Sequence, residues 1–314
     1  MAMILVSLLL VGCMRSLPSG KAFSSGTYRQ KMDMRYNLLK RSYQVHVPPS
    51  YDLRKPLPLV VVIHGAFDNA SGVENATGFS ELADRESFIV QYPNGISLFG
   101  FLQHWNAGHC CGKAAADKVD DVGFIAKAIE DLCSRLNVDR NRIYMVGFSN
   151  GGMMAYRFAA ERSDLLAAVA PLAASIGGRA SVNSPEWRIP LPSHQLPVIS
   201  IHGMQDEDVP YDGGTSPRRG GDRSYWSVPD SIGFWVTQNG CREAEDEQEL
   251  HQGAVILKSW TECNDDSEVS LYLLKEWGHV WPGSVFLGSL EKGHPLREFE
   301  AADIIWNFFK RHHR

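Results

Sequence analysis

The chain has 314 residues, 31 Lys and Arg against 36 Asp and Glu, a net charge of −5 and a pI near 6.1. No basic stripe with interleaved aromatics runs through it, so nucleic acid is excluded as the expected partner. The length suffices for one large α/β domain with a substantial core, and no Pro-, Ser- or Gly-rich linker divides it, so residues 35–314 read as a single domain behind a leader over residues 1–20.

Met3 to Val11 is nearly all apolar but too short to span a bilayer, and it reads as the core of a signal peptide. Leu10-Val11-Gly12-Cys13 also resembles a bacterial lipobox, in which the cysteine is lipidated. No Lys or Arg precedes the apolar run, a departure from the usual positively charged start. A cleaved extracellular or periplasmic protein, a lipoprotein anchored to a membrane at Cys13, and a misassigned start codon are the readings left open.

Between Arg41 and Val47, Tyr43, Val45 and Val47 alternate with polar residues, as in a half-buried antiparallel edge strand ended by Pro48-Pro49. Leu59 to Ile63 is a continuous β-branched run suited to a strand buried on both faces of a parallel sheet, and Phe88 to Val90 is a second. Val122, Ile125, Ile129, Leu132 and Leu136 recur at spacings of three and four, a helix opening near Asp120-Asp121, whose charges suit the positive end of its dipole. A strand at Ile143 to Val146 and a helix over Met153 to Ala160 follow, then strands at Leu166 to Val169, Val198 to Ile201 and Val269 to Leu274, and a closing amphipathic helix from Ala301 to Phe309. This alternation predicts an α/β fold with a mostly parallel sheet. Ser175 to Leu196 and Gly213 to Ser227 break the rhythm and read as loops.

Five cysteines lie beyond Cys13. In an oxidising compartment Cys241 and Cys263 can close a loop across the acidic Arg242 to Leu250 segment, worth roughly 3 kcal/mol. Cys110 and Cys111 either bond to each other or one of them reaches Cys133. The spacing does not suit a zinc site, and no metal ligand set is expected.

Gly147-Phe148-Ser149-Asn150-Gly151 lies where the Ile143 strand must turn into a helix, the setting of a nucleophile elbow. The flanking glycines leave room for a serine in a strained backbone conformation. The competing reading makes Ser149 a plain helix N-cap. A serine hydroxyl needs a base and a third group orienting that base. With the chain order Ser, acid, His, the acid falls on the loop after the Val198 strand, where Asp206 is the choice and Asp208 the reserve. His279 sits on a short loop after the Val269 strand, between Gly278 and Val280. His251 lies by an acidic run, His312 and His313 are in the terminal tail, and His294 precedes a proline. An oxyanion needs preformed donors: the N–H of Asn150 is one, and that of Ala66 or Phe67, after His64-Gly65, is the other.

These segments together resemble one family. Val62-Ile63-His64-Gly65, Trp105-Asn106-Ala107-Gly108 with Cys110-Cys111-Gly112, Val119-Asp120-Asp121-Val122-Gly123-Phe124, the Ser149 elbow, His202-Gly203 with Asp206 and Val209-Pro210-Tyr211, and Gly278-His279 with Trp281-Pro282-Gly283 are similar to the polyhydroxybutyrate depolymerase and feruloyl esterase group of α/β-hydrolases, which overlaps carbohydrate esterase family 1. The resemblance spans most of residues 38–311. It implies an α/β-hydrolase fold with helices on both faces of the sheet and an exported serine carboxylic ester hydrolase. It implies no cofactor, a Ser149, Asp206, His279 triad, and substrates that are hydroxycinnamoyl or acetyl esters of plant polysaccharides or short polyhydroxyalkanoate esters. Ala66 stands where the depolymerases often carry a cysteine, a change of little consequence because the backbone donates there. Gly213 to Ser227 is less familiar and is expected to affect substrate choice. Phe67, Trp105 and Trp281 suit a phenolic acyl group, with Trp105 and Trp281 taken as the substrate-binding candidates, and the same rings suit a core equally well. Two rivals remain. One is a serine peptidase of prolyl-oligopeptidase type, which usually carries a large extra domain. The other is a non-catalytic glycan- or polymer-binding lipoprotein using Trp105, Trp226, Trp277 and Trp281 as stacking surfaces.

Overall fold

The computed structural model describes residues 24–97, 102–218, 222–242, 246–283 and 290–314. The expected leader over residues 1–20, with Cys13, lies outside them. The strands are β1 (Gly26–Tyr36), β2 (Leu39–Val47), β3 (Leu57–Ile63), β4 (Ile89–Pro93), β5 (Val138–Phe148), β6 (Ala168–Leu172), β7 (Gly177–Arg179), β8 (Trp187–Arg188), β9 (Val198–Gly203), β10 (Gly214–Thr215), β11 (Ser224–Tyr225), β12 (Asp246–Leu250), β13 (Val255–Trp260) and β14 (Val269–Leu274). The helices are α1 (Ala70–Thr77), α2 (Phe79–Glu86), α3 (Gly112–Ala116), α4 (Asp121–Arg135), α5 (Asn150–Glu161), α6 (Val228–Gln238) and α7 (Ala301–Phe309).

The main sheet runs β1-β2-β4-β3-β5-β6-β9-β14-β13-β12. Its centre, from β4 to β14, is parallel throughout, and the strands flanking it pair antiparallel. The β-branched run in β3 explains the layering. Leu59, Val61 and Ile63 pack into one core with α4, α5 and α6, while Val60 and Val62 pack into the other with α1, α2 and α7. A period of two on a strand covered on both sides divides its residues between two helical layers in this way.

Two expectations need correction. The Arg41–Val47 segment is neither half-buried nor an edge: all seven residues are buried, because β1 covers the outer side of β2 and the polar residues find partners. His46, for instance, bonds Asp84 at 2.7 Å. The Ser175–Leu196 and Gly213–Ser227 segments are also not wholly loop. They contribute a separate four-stranded sheet, β10-β11-β7-β8, whose strands of two or three residues are too short to leave a periodic signature.

After β3 the chain turns one way to form β4, crosses back beneath the sheet through α4 to β5, and then continues the other way to β6 and β9. The carboxyl ends of β3 and β5 therefore flank a topological switch point, where the departing loops diverge and leave a crevice. In the protein interior, Arg41 and Asp121 form an ion pair of 2.7 Å with both side chains at 5% exposure or less, and Asp121 also accepts the N–H of Asn106. Arg41 lies over the Phe124 ring, 3.7 Å from its centroid. Removing one member of such a pair strands a buried charge, so Asp121→Ala should lower the unfolding free energy by about 3–5 kcal/mol in urea titrations, and replacing both by apolar residues should lower it less.

Candidate active site

Ser149 occupies the turn between β5 and α5 with φ 57° and ψ −123°, a backbone conformation that strains a residue with a side chain by about 1–3 kcal/mol. Its surroundings leave no alternative. A Cβ at Gly147 would lie 2.1 Å from the Gly151 carbonyl oxygen, one at Gly151 would lie 2.3 Å from that of Ile63, and one at Gly152 would lie 2.6 Å from that of Leu172. The start of α5 is thus wedged between the ends of β3 and β6, and only glycine fits the three positions. Ser149 precedes the helix but its hydroxyl caps none of the helix amides. The N-cap reading fails on this point.

The hydroxyl instead lies 2.7 Å from Nε2 of His279, and Nδ1 of the same ring lies 2.7 Å from Oδ2 of Asp206. The two partners come from neighbouring strands. β9 and β14 pair in parallel to Gly203 and Leu274. Beyond them Met204 donates to the Leu274 carbonyl at 2.9 Å and Gln205 to that of Trp277 at 3.0 Å. A Cβ at Gly203 would meet the Trp277 oxygen at 2.2 Å, so here too glycine permits the contact. Asp206 is 4% exposed, and its other oxygen accepts the amides of Asp208 at 2.9 Å and Val209 at 2.8 Å. Two amides and an imidazole satisfy the buried carboxylate. Asp208 lines the adjacent cavity, and Arg218 approaches it at 3.8 Å.

His202 also approaches Asp206, with Nε2 3.7 Å from Oδ2, but that nitrogen bonds the Val209 carbonyl at 2.9 Å and so carries the proton. Burial holds its pKa below the ordinary value and keeps it neutral. His64 fixes the facing loop. Nδ1 donates to the Gly65 carbonyl at 2.7 Å, which leaves Nε2 to accept the Gly95 amide at 3.0 Å. Burial pushes its pKa down to about 4.

The cavity beside Ser149 measures about 380 Å³ and is lined by Ala66, Met153, Tyr225 and Arg223 among others. The Phe67 amide is already given to the Gln103 carbonyl at 2.9 Å, whereas no partner is recorded among the described residues for the Ala66 amide. Asn150 opens α5, where helical amides lack internal acceptors. Of the expected oxyanion donors, Ala66 and Asn150 are therefore available and Phe67 is not. A Cβ on Gly65 would find only ordinary contacts from 3.5 Å outward, so the close approach expected there is not what requires that glycine.

Neither expected substrate tryptophan lines the cavity. Trp105 is fully buried, with its indole N–H on the His64 carbonyl at 3.0 Å and its backbone clamped by the Asn150 side chain at 2.8 and 3.1 Å. Trp281 is 3% exposed and packs edge-on to Phe79 and Phe148. Composition cannot separate a stacking platform from a core ring, and here both rings are core. Sequence reasoning did not single out the lining residues Arg223, Asp222 or Tyr225, although the Gly213–Ser227 segment it flagged for substrate choice supplies all three. Cys110 and Cys111 are bonded to each other across a cis peptide and also line the cavity, Cys241 is bonded to Cys263 as expected, and Cys133 is free. Among the described residues, the metal-ligating types gathered closely enough to hold an ion are Asp206, Asp208 and His279, and both nitrogens of His279 are already engaged.

A family profile described as esterase PHB depolymerase matches residues 41–185. The chain is 29% identical to "Putative esterase NocK" of Nocardia uniformis over 78% of its length and 72% of that protein. It is 28% identical to feruloyl esterase B of Piromyces equi over 76% of its length but only 42% of that protein. Residues 41–185 thus resemble the polyhydroxybutyrate depolymerase esterases, and the longer matches are to proteins named esterases. This esterase also superposes on the acetyl xylan esterase from Aspergillus awamori with a TM-score of 0.61, covering 90% of its own chain and 98% of that one at 16% identity, a likeness that establishes the α/β-hydrolase fold. Like its relatives it is a carboxylic ester hydrolase.

Two outcomes follow from the site's buried groups. Because the folded esterase holds His64 at a pKa of about 4 and the unfolded chain at about 6.5, its stabilising effect is full above pH 6.5 and is lost as the pH falls towards 4, a loss on the order of 3 kcal/mol detectable as a falling urea midpoint. Trp281→Ala should destabilise by about 3–5 kcal/mol in the same assay, the response of a core ring.

Proposed function

We propose that this esterase cleaves its substrate through an acyl-enzyme on Ser149. His279 takes the hydroxyl proton as Oγ attacks the ester carbonyl, then gives it to the departing alcohol. Asp206 holds the imidazole with Nδ1 protonated and stabilises its cationic form. The amides of Asn150 and Ala66 receive the negative oxygen of the tetrahedral intermediate. Water activated by the same imidazole then releases the acid and frees the serine. The observation that carries this reading is the unbroken relay from Ser149 through His279 to Asp206, with 2.7 Å at each step.

The substrates proposed are hydroxycinnamoyl or acetyl esters of plant polysaccharides, or short polyhydroxyalkanoate esters. The similarity to a protein named feruloyl esterase supports the first class and the family profile supports the last. An exported enzyme fits the apolar Met3–Val11 stretch and the Cys241–Cys263 bond, which belongs in an oxidising compartment. Among the described residues no helix is long and apolar enough to cross a membrane.

Initial rates on methyl ferulate, acetylated xylan, a hydroxybutyrate oligomer and p-nitrophenyl acetate test both parts. Ser149→Ala should abolish turnover of every substrate that the native enzyme accepts, and Asp206→Asn should lower kcat by about 10³–10⁴ with little change in KM. Native rates from Ser149→Ala would refute the mechanism. A native enzyme active on p-nitrophenyl acetate but on none of the other three would refute the substrate assignment alone.

A further inference from the structure

Arg223 lines the cavity that holds Ser149, and among the described residues it has no carboxylate partner. Its Nη1 faces the sulfurs of Cys110 at 3.4 Å and Cys111 at 3.6 Å, and its Nε is buried without a hydrogen-bond partner. The nearby His109 ring adds no second cation, since burial, and after it the arginine itself, keeps the ring neutral. Asp208 and Asp222 also line the cavity, but neither forms an ion pair with Arg223, and Arg218 stands beside Asp208 at 3.8 Å. Arg223 is half-buried with its Nε shut off from solvent, and a guanidinium so placed favours an anionic partner.

The position is also built rather than incidental. Arg223 directly precedes β11, its carbonyl accepts the Ser216 amide at 3.1 Å, and the fully buried Ser216 hydroxyl donates to the Glu207 carbonyl at 3.1 Å. That ties the β10–β11 hairpin to the loop carrying Asp206. The neighbouring Tyr225 is buried edge-on against His109, with ring centroids 5.7 Å apart. The backbone of Arg223 is thus tied to the loop that carries Asp206, and its side chain lines the same cavity as Ser149.

We infer that Arg223 receives a carboxylate carried by the substrate close to the ester that Ser149 attacks. A guanidinium fork matches that group in geometry and charge, and the interaction is strengthened in a partly dry site. Two chemical sources offer such a group: the free acid end of a hydroxyalkanoate oligomer, and a uronate bearing an acyl ester. This inference rests on the reading of the cavity as the ester site.

The test compares kcat/KM for each acid with that for its methyl ester, using a 3-hydroxybutyrate dimer in one arm and an acetylated methyl glucuronoside in the other. The native enzyme should favour the acid about tenfold in at least one arm, which identifies the source. Arg223→Gln should bring that ratio close to one, and Arg223→Lys should keep part of it. Using the ratio cancels any general loss from altered packing, and the native ratio stands whether or not a variant folds. A native enzyme that prefers the methyl ester or shows no preference in both arms would overturn the inference, as would an unchanged ratio in Arg223→Gln. Turnover of p-nitrophenyl acetate that survives Ser149→Ala would instead mark a failure of the mechanism itself.

Discussion

The exits of β9 and β14 are locked together by backbone contact, and the site depends on that lock. Asp206 and His279 are 73 residues apart in sequence, and each stands on a loop that would be mobile alone. Two amide-to-carbonyl bonds and the packing of Gly203 against Trp277 set the loops in register, so that the carboxylate meets the imidazole at hydrogen-bond distance. The amides of Asp208 and Val209 then satisfy the carboxylate's second oxygen, so that both oxygens have partners although the group is almost fully buried. An imidazole placed this way needs only a serine within reach.

The serine side is held by a different device. Three glycines let the start of α5 approach the ends of β3 and β6, and the Asn150 side chain grips the Trp105 backbone on both its amide and its carbonyl. Asp121, paired with Arg41, holds the next amide, and Arg157 donates to the Asn106 carbonyl at 2.8 Å. The segment carrying Trp105 and Asn106 is therefore a buried strut between α5 and α4. Its tryptophan supports the His64 loop, and with it the Ala66 amide, from beneath.

Much of this was legible because strong local signals coincided with global roles. The β3 run, the α4 periodicity and the glycine-flanked Ser149 each follow from packing rules that act over a few residues, and chain order together with placement on loops after strands singled out Asp206, with Asp208 in reserve, and His279. Burial was not legible in the same way. Trp105 and Trp281 carry the same rings whether they face a ligand or a core, and only the tertiary path of the chain decides which. The small sheet formed by β7, β8, β10 and β11 escaped notice because two-residue strands have no period. Arg223 was hidden for the same reason, in a segment whose Gly and Arg content reads as loop although Asp222, Arg223 and Tyr225 line the cavity.

A relay that activates one serine should make that serine uniquely reactive towards a phosphonylating reagent. The native enzyme would be treated with a fluorophosphonate, digested, and its labelled peptide sequenced by mass spectrometry. The account predicts a single adduct, on Ser149. An unlabelled enzyme, or an adduct on any other residue, would contradict it.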